Sequence, residues 1–194
     1  MKYRWERYLL PISLEEALGM LEAYRGQVKV IAGGTDLVVS LEKKDSFIPV
    51  IVDISRVRDL KGISVRDNAI SIGAGVTLAE IEKSETLKVY SPFLVKAVHQ
   101  IGSPQIRNIA TLAGNVANAS PAADGVLPLL ALDSSVTLRS VSGGERKVPL
   151  SAFLIGPGKT SCDAAEVITE LQFTVPGKNL AGSFEKVGLR KAMN

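Results

Sequence analysis

Helical and extended patterns alternate over residues 1–55, and this alternation sets the expected fold class. Ser13 and Glu16 have the spacing of a capping box, so the first helix is predicted to begin there and to end near Gly26. The other predicted elements are strands over 28–32 and 49–54 and a short helix over 37–41 that Thr35 or Asp36 would cap. Such alternation is typical of a small parallel α/β unit.

The chain beyond residue 62 has a different pattern, with hairpins in place of crossovers. One hairpin is predicted over 62–75, turning at Asp67–Asn68, and a second over 135–150. The other predicted elements are strands over 167–175 and 183–191 and helices over 77–84, 91–101 and 125–132. We therefore expect an α/β (α+β) protein, in which a small parallel βαβ lobe precedes a larger, mainly antiparallel sheet with helices.

The composition excludes several classes of function. The 194 residues include one cysteine, Cys162, and one histidine, His99, so we predict no disulfide within the chain and no zinc or iron–sulfur site built from it. The net charge of +3 comes without a basic cluster, which argues against nucleic acid as a partner. There is no signal-peptide pattern and no apolar run of membrane-spanning length. We predict a cytoplasmic protein without a membrane span.

The stretch "AGGTD" (32–36) is the first candidate site, because it lies between a predicted strand and a predicted helix. Glycines allow a ligand to approach the backbone closely, and successive amides of such a turn can hold an anion. The stretch lacks the glycine spacing of a dinucleotide fingerprint and the lysine of a P-loop. A tight turn without any ligand remains the alternative.

The stretch "TLAGNVANASPAAD" (111–124) is the second candidate. Its side chains are small and polar, and we expect neither an ordinary helix nor a strand. Alanine and glycine leave room for a ligand against the backbone, and Asp124 could accept hydrogen bonds from ribose hydroxyls. The alternative is an irregular loop whose polar groups bond one another. Two low-bulk segments of this kind favour a shared phosphate-bearing ligand.

Three single residues are assigned ordinary roles. His99 is expected at the surface or behind a site, and Cys162 is expected to be an inert thiol in a polar loop. Arg107 is either a phosphate contact or half of a structural ion pair. No nucleophile–base or acid–base pair is evident, so no catalytic residue and no metal ligand is predicted. A bound cofactor would carry any chemistry.

Four blocks together resemble one known family. "AGGTDL" (32–37), "GSPQIRNIATLAGNVANASPAAD" (102–124), "VITELQF" (167–173) and "FEKVGLRKAM" (184–193) are similar to the FAD-binding medium subunit of molybdenum hydroxylases. This family includes xanthine dehydrogenase, aldehyde oxidase and aerobic carbon monoxide dehydrogenase. The resemblance covers essentially the whole chain. It implies a two-lobed FAD-binding domain of the p-cresol methylhydroxylase type.

The resemblance also implies a set of FAD contacts. Two turns would hold the FAD pyrophosphate from two sides, and an acidic residue, a lysine and two apolar residues would contact the rest of the cofactor. The first turn comprises Ala32, Gly33, Gly34, Thr35 and Asp36, flanked by Ile31 and Leu37, and the second comprises Thr111, Leu112, Ala113, Gly114 and Asn115. The remaining contacts are Asp124, Lys186, Ile101 and Ile168.

Two departures from the family pattern are visible. Ala113 occupies a position where a second glycine is usual, so its methyl group would lie close to the phosphate. Family members also continue beyond "RKAM" into a C-terminal domain, most of which this sequence lacks. The expected division is an N-terminal FAD-binding lobe over 1–58, a second lobe over 59–178, and the start of that C-terminal domain over 179–194.

By resemblance, the expected function is electron transfer within a multi-subunit oxidoreductase. FAD would take electrons from 2Fe–2S clusters and pass them to NAD⁺, oxygen or a quinone. The implied partners are a molybdopterin-binding large subunit and a 2Fe–2S small subunit, in a dimer of heterotrimers. The alternatives are a scaffold or assembly protein that keeps the fold without retaining flavin, and a stand-alone flavin reductase.

Overall fold

A three-stranded parallel sheet forms the N-terminal part of the computed structural model, which describes residues 5–44, 47–177 and 181–187. The strand order is β1-β3-β2. The elements are β1 (Trp5–Leu9), α1 (Leu14–Ala23), β2 (Val28–Ile31), α2 (Leu37–Lys44) and β3 (Ile48–Asp53). The predicted parallel α/β unit is confirmed, but β1 was not predicted, because only its ends are partly buried and it lacks an apolar run.

The first helix begins where the capping pattern places it. The Ser13 hydroxyl accepts a hydrogen bond from the Glu16 amide at 3.2 Å, and the Glu16 carboxylate accepts one from the Ile12 amide at 2.8 Å. The first bond satisfies an amide that the helix itself leaves without an acceptor, and the second ties Glu16 to the residue before the N-cap, in place of the bond to the Ser13 amide that a capping box would have. The predicted apolar face is buried as expected and consists of Leu14, Ala17, Leu18 and Leu21.

A five-stranded antiparallel sheet forms the larger part of the chain, with the strand order β4-β5-β10-β6-β7. Its strands are β4 (Ile63–Arg66), β5 (Ala69–Gly73), β6 (Ser135–Ser140), β7 (Gly144–Pro149) and β10 (Val167–Thr174), and a small hairpin is formed by β8 (Leu154–Gly156) and β9 (Lys159–Thr160). Asp67 and Asn68 both have positive φ, at 49° and 59°, as a two-residue hairpin turn requires. Both predicted hairpins are confirmed.

Short helices cover this sheet and connect its strands. They are α3 (Leu78–Lys83), α4 (Glu85–Tyr90), α5 (Pro92–His99), α6 (Pro104–Arg107), α7 (Leu112–Asn118), α8 (Val126–Ala131) and α9 (Leu150–Phe153), with a 3₁₀ turn at Arg58–Leu60. No helix in the described part of the chain combines the length and the apolar character that crossing a membrane demands.

Two predictions of local structure were wrong. Residues 111–124 contain α7, because Thr111 caps the helix and Leu112 and Val116 bury one face of it. The predicted strand over 183–191 is absent from residues 183–187, where Phe184 is buried by a segment without regular structure. Residues 188–191 lie outside the described residues.

One hydrophobic cluster joins the two sheets. It includes Leu21 and Val52 from the parallel unit together with Ile72, Leu129 and Leu171 from the antiparallel part. Ile31, Leu41, Ile48 and Ile51 form a second cluster at the side of the parallel sheet where α2 lies. The edge at which β2 ends is thereby held against the helices that follow β5.

Candidate cofactor-binding site

The first glycine turn connects the end of β2 to the start of α2. Ile31 is buried, and the residues from Ala32 to Thr35 are partly exposed. Gly34 has a φ of +70° and its carbonyl accepts the first hydrogen bond of the helix, from the Val38 amide at 3.1 Å. The turn therefore presents main-chain atoms at the carboxyl edge of a parallel sheet, where ligands of open α/β sheets bind.

The second turn is the N-terminus of α7. The Thr111 hydroxyl accepts a hydrogen bond from the Gly114 amide at 3.0 Å, and the Asn115 amide donates to the Thr111 carbonyl at 3.0 Å. Leu112 and Ala113 are buried, whereas Gly114 is exposed. The methyl group of Ala113 thus packs into the core, and the main chain of this turn is the part that a ligand can reach.

The first turn is in direct contact with the residues that lead into the second turn. A Cβ atom on Gly33 would lie 2.1 Å from the carbonyl oxygen of Ile109 and 2.8 Å from the amide nitrogen of Ala110. Asn118 strengthens this contact, because its side-chain amide donates to the Asp36 carboxylate at 3.1 Å. The structure therefore brings together the two low-bulk segments, and only glycine fits at position 33.

Asp124 and Lys186 lie together, and Gly125, the residue after Asp124, lies against the second turn: a Cβ atom on Gly125 would be 2.7 Å from the Asn115 Oδ1 atom. The side chains of Asp124 and Lys186 form an ion pair at 2.7 Å, and each side chain is only 15% exposed. Lys186 reaches Asp124 because the preceding segment is held in place: Phe184 is buried, and Gly182 packs on the ring of Phe93. The two residues were predicted as separate contacts, and their pairing was not predicted.

Ile101 and Ile168, the two predicted apolar contacts, have different surroundings. Ile101 follows α5, is partly buried, and packs against the hydrophobic cluster. Ile168 lies in β10 opposite Leu138, next to a bulge in that strand, and its side chain is buried in the core. Ile101 therefore has exposed surface available to a ligand, whereas most of the Ile168 surface is used in packing.

Arg107 forms the ion pair that was one of its two predicted roles. Its Nε atom donates to Glu82 at 2.9 Å, and the Nδ1 atom of His99 lies 2.6 Å from the other oxygen of that carboxylate. Burial raises the pKa of Glu82, but the hydrogen bonds from His99 and Arg107 outweigh it and leave the pKa below its usual value. Glu82 was not predicted, because nothing in the local sequence links it to Arg107.

The Cys162 thiol is half-buried, as its predicted inert character requires. Burial, with a smaller contribution from the Glu166 carboxylate, raises its pKa to about 11. The thiolate is the reactive form of cysteine, so this environment suppresses its reactivity near neutral pH.

Comparison with known protein families identifies the domain. The sequence profile of the FAD binding domain in molybdopterin dehydrogenase matches residues 2–176. This chain belongs to that family. FAD is therefore the cofactor of the domain.

Relatives and solved structures agree with this assignment. The chain is 37% identical over 190 residues to the nicotinate dehydrogenase FAD-subunit of Eubacterium barkeri, covering 96% of this chain and 64% of the relative. It is 34% identical over 184 residues to a putative xanthine dehydrogenase FAD-binding subunit of Escherichia coli K12, covering 94% of this chain and 62% of that protein. This chain thus spans less than two thirds of the length of either relative.

The fold agrees with that of a solved enzyme. A chain of carbon monoxide dehydrogenase from Hydrogenophaga pseudoflava superposes with a TM-score of 0.94 at 26% identity, covering all of this chain and 67% of the other. The predicted arrangement, a small parallel sheet followed by a larger antiparallel one, is confirmed.

The residues at the two turns fit FAD. The close approach at Gly33 leaves two stretches of main chain side by side, and main-chain amides are suited to binding a pyrophosphate. The Oδ1 atom of Asn115 is buried and has no hydrogen-bond partner among the described residues. An unpaired buried acceptor is costly, and a hydroxyl group of a bound nucleotide would satisfy it.

Proposed function

We propose that this chain is the FAD-carrying, electron-transferring part of a molybdopterin-dependent hydroxylase or dehydrogenase. The observation that carries the proposal is the contact of two glycine-containing turns in a domain of the FAD-binding family. The relatives named as FAD subunits of nicotinate and xanthine dehydrogenases support the same class of reaction. When bound, FAD would supply the redox chemistry, accepting electrons from 2Fe–2S clusters and passing them to NAD⁺, oxygen or a quinone.

The role proposed for the chain's own residues is to bind and orient the cofactor. The turns from Ile31 to Leu37 and from Thr111 to Asn115 would hold the pyrophosphate through main-chain amides. Asp124 and Lys186 would lie at one end of the cofactor, where the ion pair can exchange one of its bonds for a ligand hydroxyl or carbonyl. Ile101 and Ile168 would supply apolar contacts. No side chain is assigned a proton-transfer role.

The proposed partners are a molybdopterin-binding large subunit and a 2Fe–2S small subunit, in a dimer of heterotrimers. The domain division proposed with them is a first FAD-binding lobe over 1–58, a second over 59–178, and the start of a further domain over 179–194. Apart from residues 181–187, that last stretch lies outside the described residues.

A reconstitution experiment tests the proposal. The 194-residue chain is incubated with FAD, freed of excess cofactor, and measured for flavin absorbance; we expect about one FAD per chain. Co-expression with the two partner subunits should then give flavin reduction by the substrate of the large subunit. Failure to bind FAD would favour the scaffold alternative, and oxidation of NADH or NADPH by the chain alone would favour the flavin reductase.

A further inference from the structure

The segment from Ile101 to Thr111 connects two predicted FAD contacts. The buried side chain of Arg107, within this segment, bonds back to the residues at its start. We propose that Arg107 is a positioning residue that fixes Ile101 and Gly102 relative to the second turn. The Arg107 guanidinium contacts this segment at the main-chain carbonyl groups of Ile101 and Gly102. It acts through the main chain of the segment that carries Ile101.

The guanidinium of Arg107 bonds two successive carbonyl groups. Its Nη1 atom donates to the Ile101 carbonyl at 3.2 Å and to the Gly102 carbonyl at 3.1 Å, while its Nε atom donates to Glu82. The Arg107 side chain is only 9% exposed, so these partners replace water almost completely. The planar fork of arginine presents its donors to the carboxylate and the two carbonyls in one fixed geometry, whereas a lysine has its three donors on a single nitrogen.

Helix α3 holds both ends of the same segment. Glu82, near the C-terminal end of α3, holds Arg107 and through it Ile101. At the other end of α3, the Leu78 amide donates to the Ala110 carbonyl at 2.9 Å, and Thr77 forms an isolated β-bridge with Thr111. The distance between Ile101 and Thr111 is therefore set by one rigid element.

The backbone conformation of Gly102 shows why the segment needs the hydrogen bonds from Arg107. Gly102 has a φ of +56°, and a Cβ atom there would lie 2.9 Å from the Ile106 side chain. The left-handed conformation turns the chain sharply beside Ile101, and glycine has many alternative conformations. The Arg107 bonds to the Ile101 and Gly102 carbonyls select one of these conformations. His99 in turn holds the Glu82 carboxylate, 2.6 Å from its Nδ1 atom.

This inference rests on the proposed FAD site, of which Ile101 and the second turn are parts. If Arg107 positions Ile101, its loss should weaken FAD binding and alter the surroundings of the flavin, beyond any loss of folding stability. A residue with a purely structural role would change stability alone. The two roles are therefore distinguishable by measuring both properties on the same variants.

The test compares Arg107→Lys with Arg146→Lys in the full 194-residue chain. Arg146 is the control: it donates to both oxygens of Glu166, at 2.6 and 2.7 Å, and to the Ser161 carbonyl at 2.8 Å, and neither of these partners is a predicted FAD contact. We expect Arg107→Lys to raise the dissociation constant of FAD about tenfold and to change the visible circular dichroism of the flavin. Arg146→Lys should leave both unchanged.

Melting temperatures of the FAD-free variants provide the structural comparison. We expect Arg107→Lys to lower the melting temperature more than Arg146→Lys, because the Arg107 side chain is 9% exposed and the Arg146 side chain 42%. A second variant, Glu82→Gln, keeps an acceptor for Arg107 and should weaken FAD binding about threefold; it decides the question if Arg107→Lys does not fold.

Two results would overturn the inference. If Arg107→Lys, or Glu82→Gln in its place, binds FAD as tightly as the unmodified chain, Arg107 has only a structural role. If the unmodified chain binds no FAD at all, the proposed function fails first and the positioning role fails with it.

Discussion

Gly33 has no room for a side chain, and this makes it the residue on which the site depends most directly. Replacing Gly33 with alanine would place a methyl carbon 2.1 Å from the Ile109 carbonyl oxygen, so the two turns would have to move apart. We expect Gly33→Ala to lower the free energy of unfolding by about 2 kcal/mol and to abolish measurable FAD binding. Urea unfolding and FAD titration measure the two effects.

Gly19→Ala is the matched control for this change. A Cβ atom at Gly19, inside α1, would meet no atom within 4 Å. Alanine is favoured over glycine in a helix by roughly 0.5–1 kcal/mol, so this variant should be slightly more stable and should bind FAD normally. Normal FAD binding by Gly33→Ala would show that the contact of the two turns is unimportant for the cofactor.

The reactivity of Cys162 is predicted from its burial. With a pKa of about 11, the thiol in the folded chain is almost entirely protonated at pH 8. An unperturbed cysteine with a pKa near 8.5 is partly ionised there, so alkylation should be about a hundredfold slower in the native protein than in urea. Mass spectrometry after timed iodoacetamide treatment measures the rates, and equal rates would contradict the predicted environment.

The position of the first glycine turn was predictable because the reason is local: a strand, two small residues and a helix follow one another directly. Its role as a cofactor contact stays a prediction. The pairs Asp124–Lys186 and Glu82–Arg107 were not predicted, since each joins residues from distant parts of the chain. A charged residue gives no indication in the sequence of which distant partner it will have.

At the scale of elements, the capping box of α3 offers a direct test. The Thr77 hydroxyl accepts from the Glu80 amide at 3.2 Å, and the Glu80 carboxylate accepts from the Thr77 amide at 2.6 Å. We expect Thr77→Ala to lower the free energy of unfolding by about 1 kcal/mol, because one orphan amide loses its acceptor. Chemical denaturation followed by circular dichroism measures the change.

Ser84→Ala is the comparison for this prediction. The Ser84 hydroxyl caps α4 by accepting from the Leu87 amide at a longer 3.3 Å, without a reciprocal glutamate bond. The loss in stability should therefore be smaller for Ser84→Ala than for Thr77→Ala. The reverse order would mean that the reciprocal bond of the capping box adds nothing here.

Helix α7 shows what composition cannot predict about an element. Its asparagines and small residues indicated irregular chain, yet Thr111 supplies a cap, and Leu112 and Val116 are both buried against the core. Tertiary packing thus outweighed low helix propensity. By contrast, both hairpins and α1 were predicted correctly, because a turn pair at Asp67–Asn68 and an N-cap at Ser13 are local signals.

At the scale of the whole molecule, acid should destabilise the fold. A hydrogen bond from Arg146 lowers the pKa of Glu166, and the pKa of Glu82 is also below its usual value. Such carboxylates contribute stability above the pKa of an unfolded glutamate, about 4.3, and this contribution is lost as the pH falls through their lower folded values. The urea midpoint should therefore decrease between pH 6 and pH 3.

Glu166→Gln identifies the source of this pH dependence. The variant keeps the shape of the side chain but cannot ionise, so its urea midpoint should vary less with pH than that of the unmodified chain. Glu42→Gln, at an exposed position on α2, should retain the full variation. Identical profiles for the three proteins would assign the acid sensitivity to other groups.

The architecture as a whole was predictable, but the order of its strands was not. The change from helix–strand alternation to hairpins correctly indicated a parallel unit followed by an antiparallel sheet. Placing β10 between β5 and β6 depends on pairing across long stretches of chain, for which sequence patterns contain no direct signal. The missed β1 shows the same limit, because an edge strand has little apolar surface to bury.

The contact at Gly33 also affects how much the amino-acid sequence of such a chain can change while the fold is kept. The atoms that meet there belong to main chain on both sides, so the close approach requires the absence of a Cβ atom at position 33 and does not depend on which side chains Ile109 and Ala110 carry. Substitutions opposite Gly33 can therefore occur while this main-chain contact is kept. A solved chain that is 26% identical superposes with a TM-score of 0.94, so the fold that brings these two segments together tolerates extensive substitution.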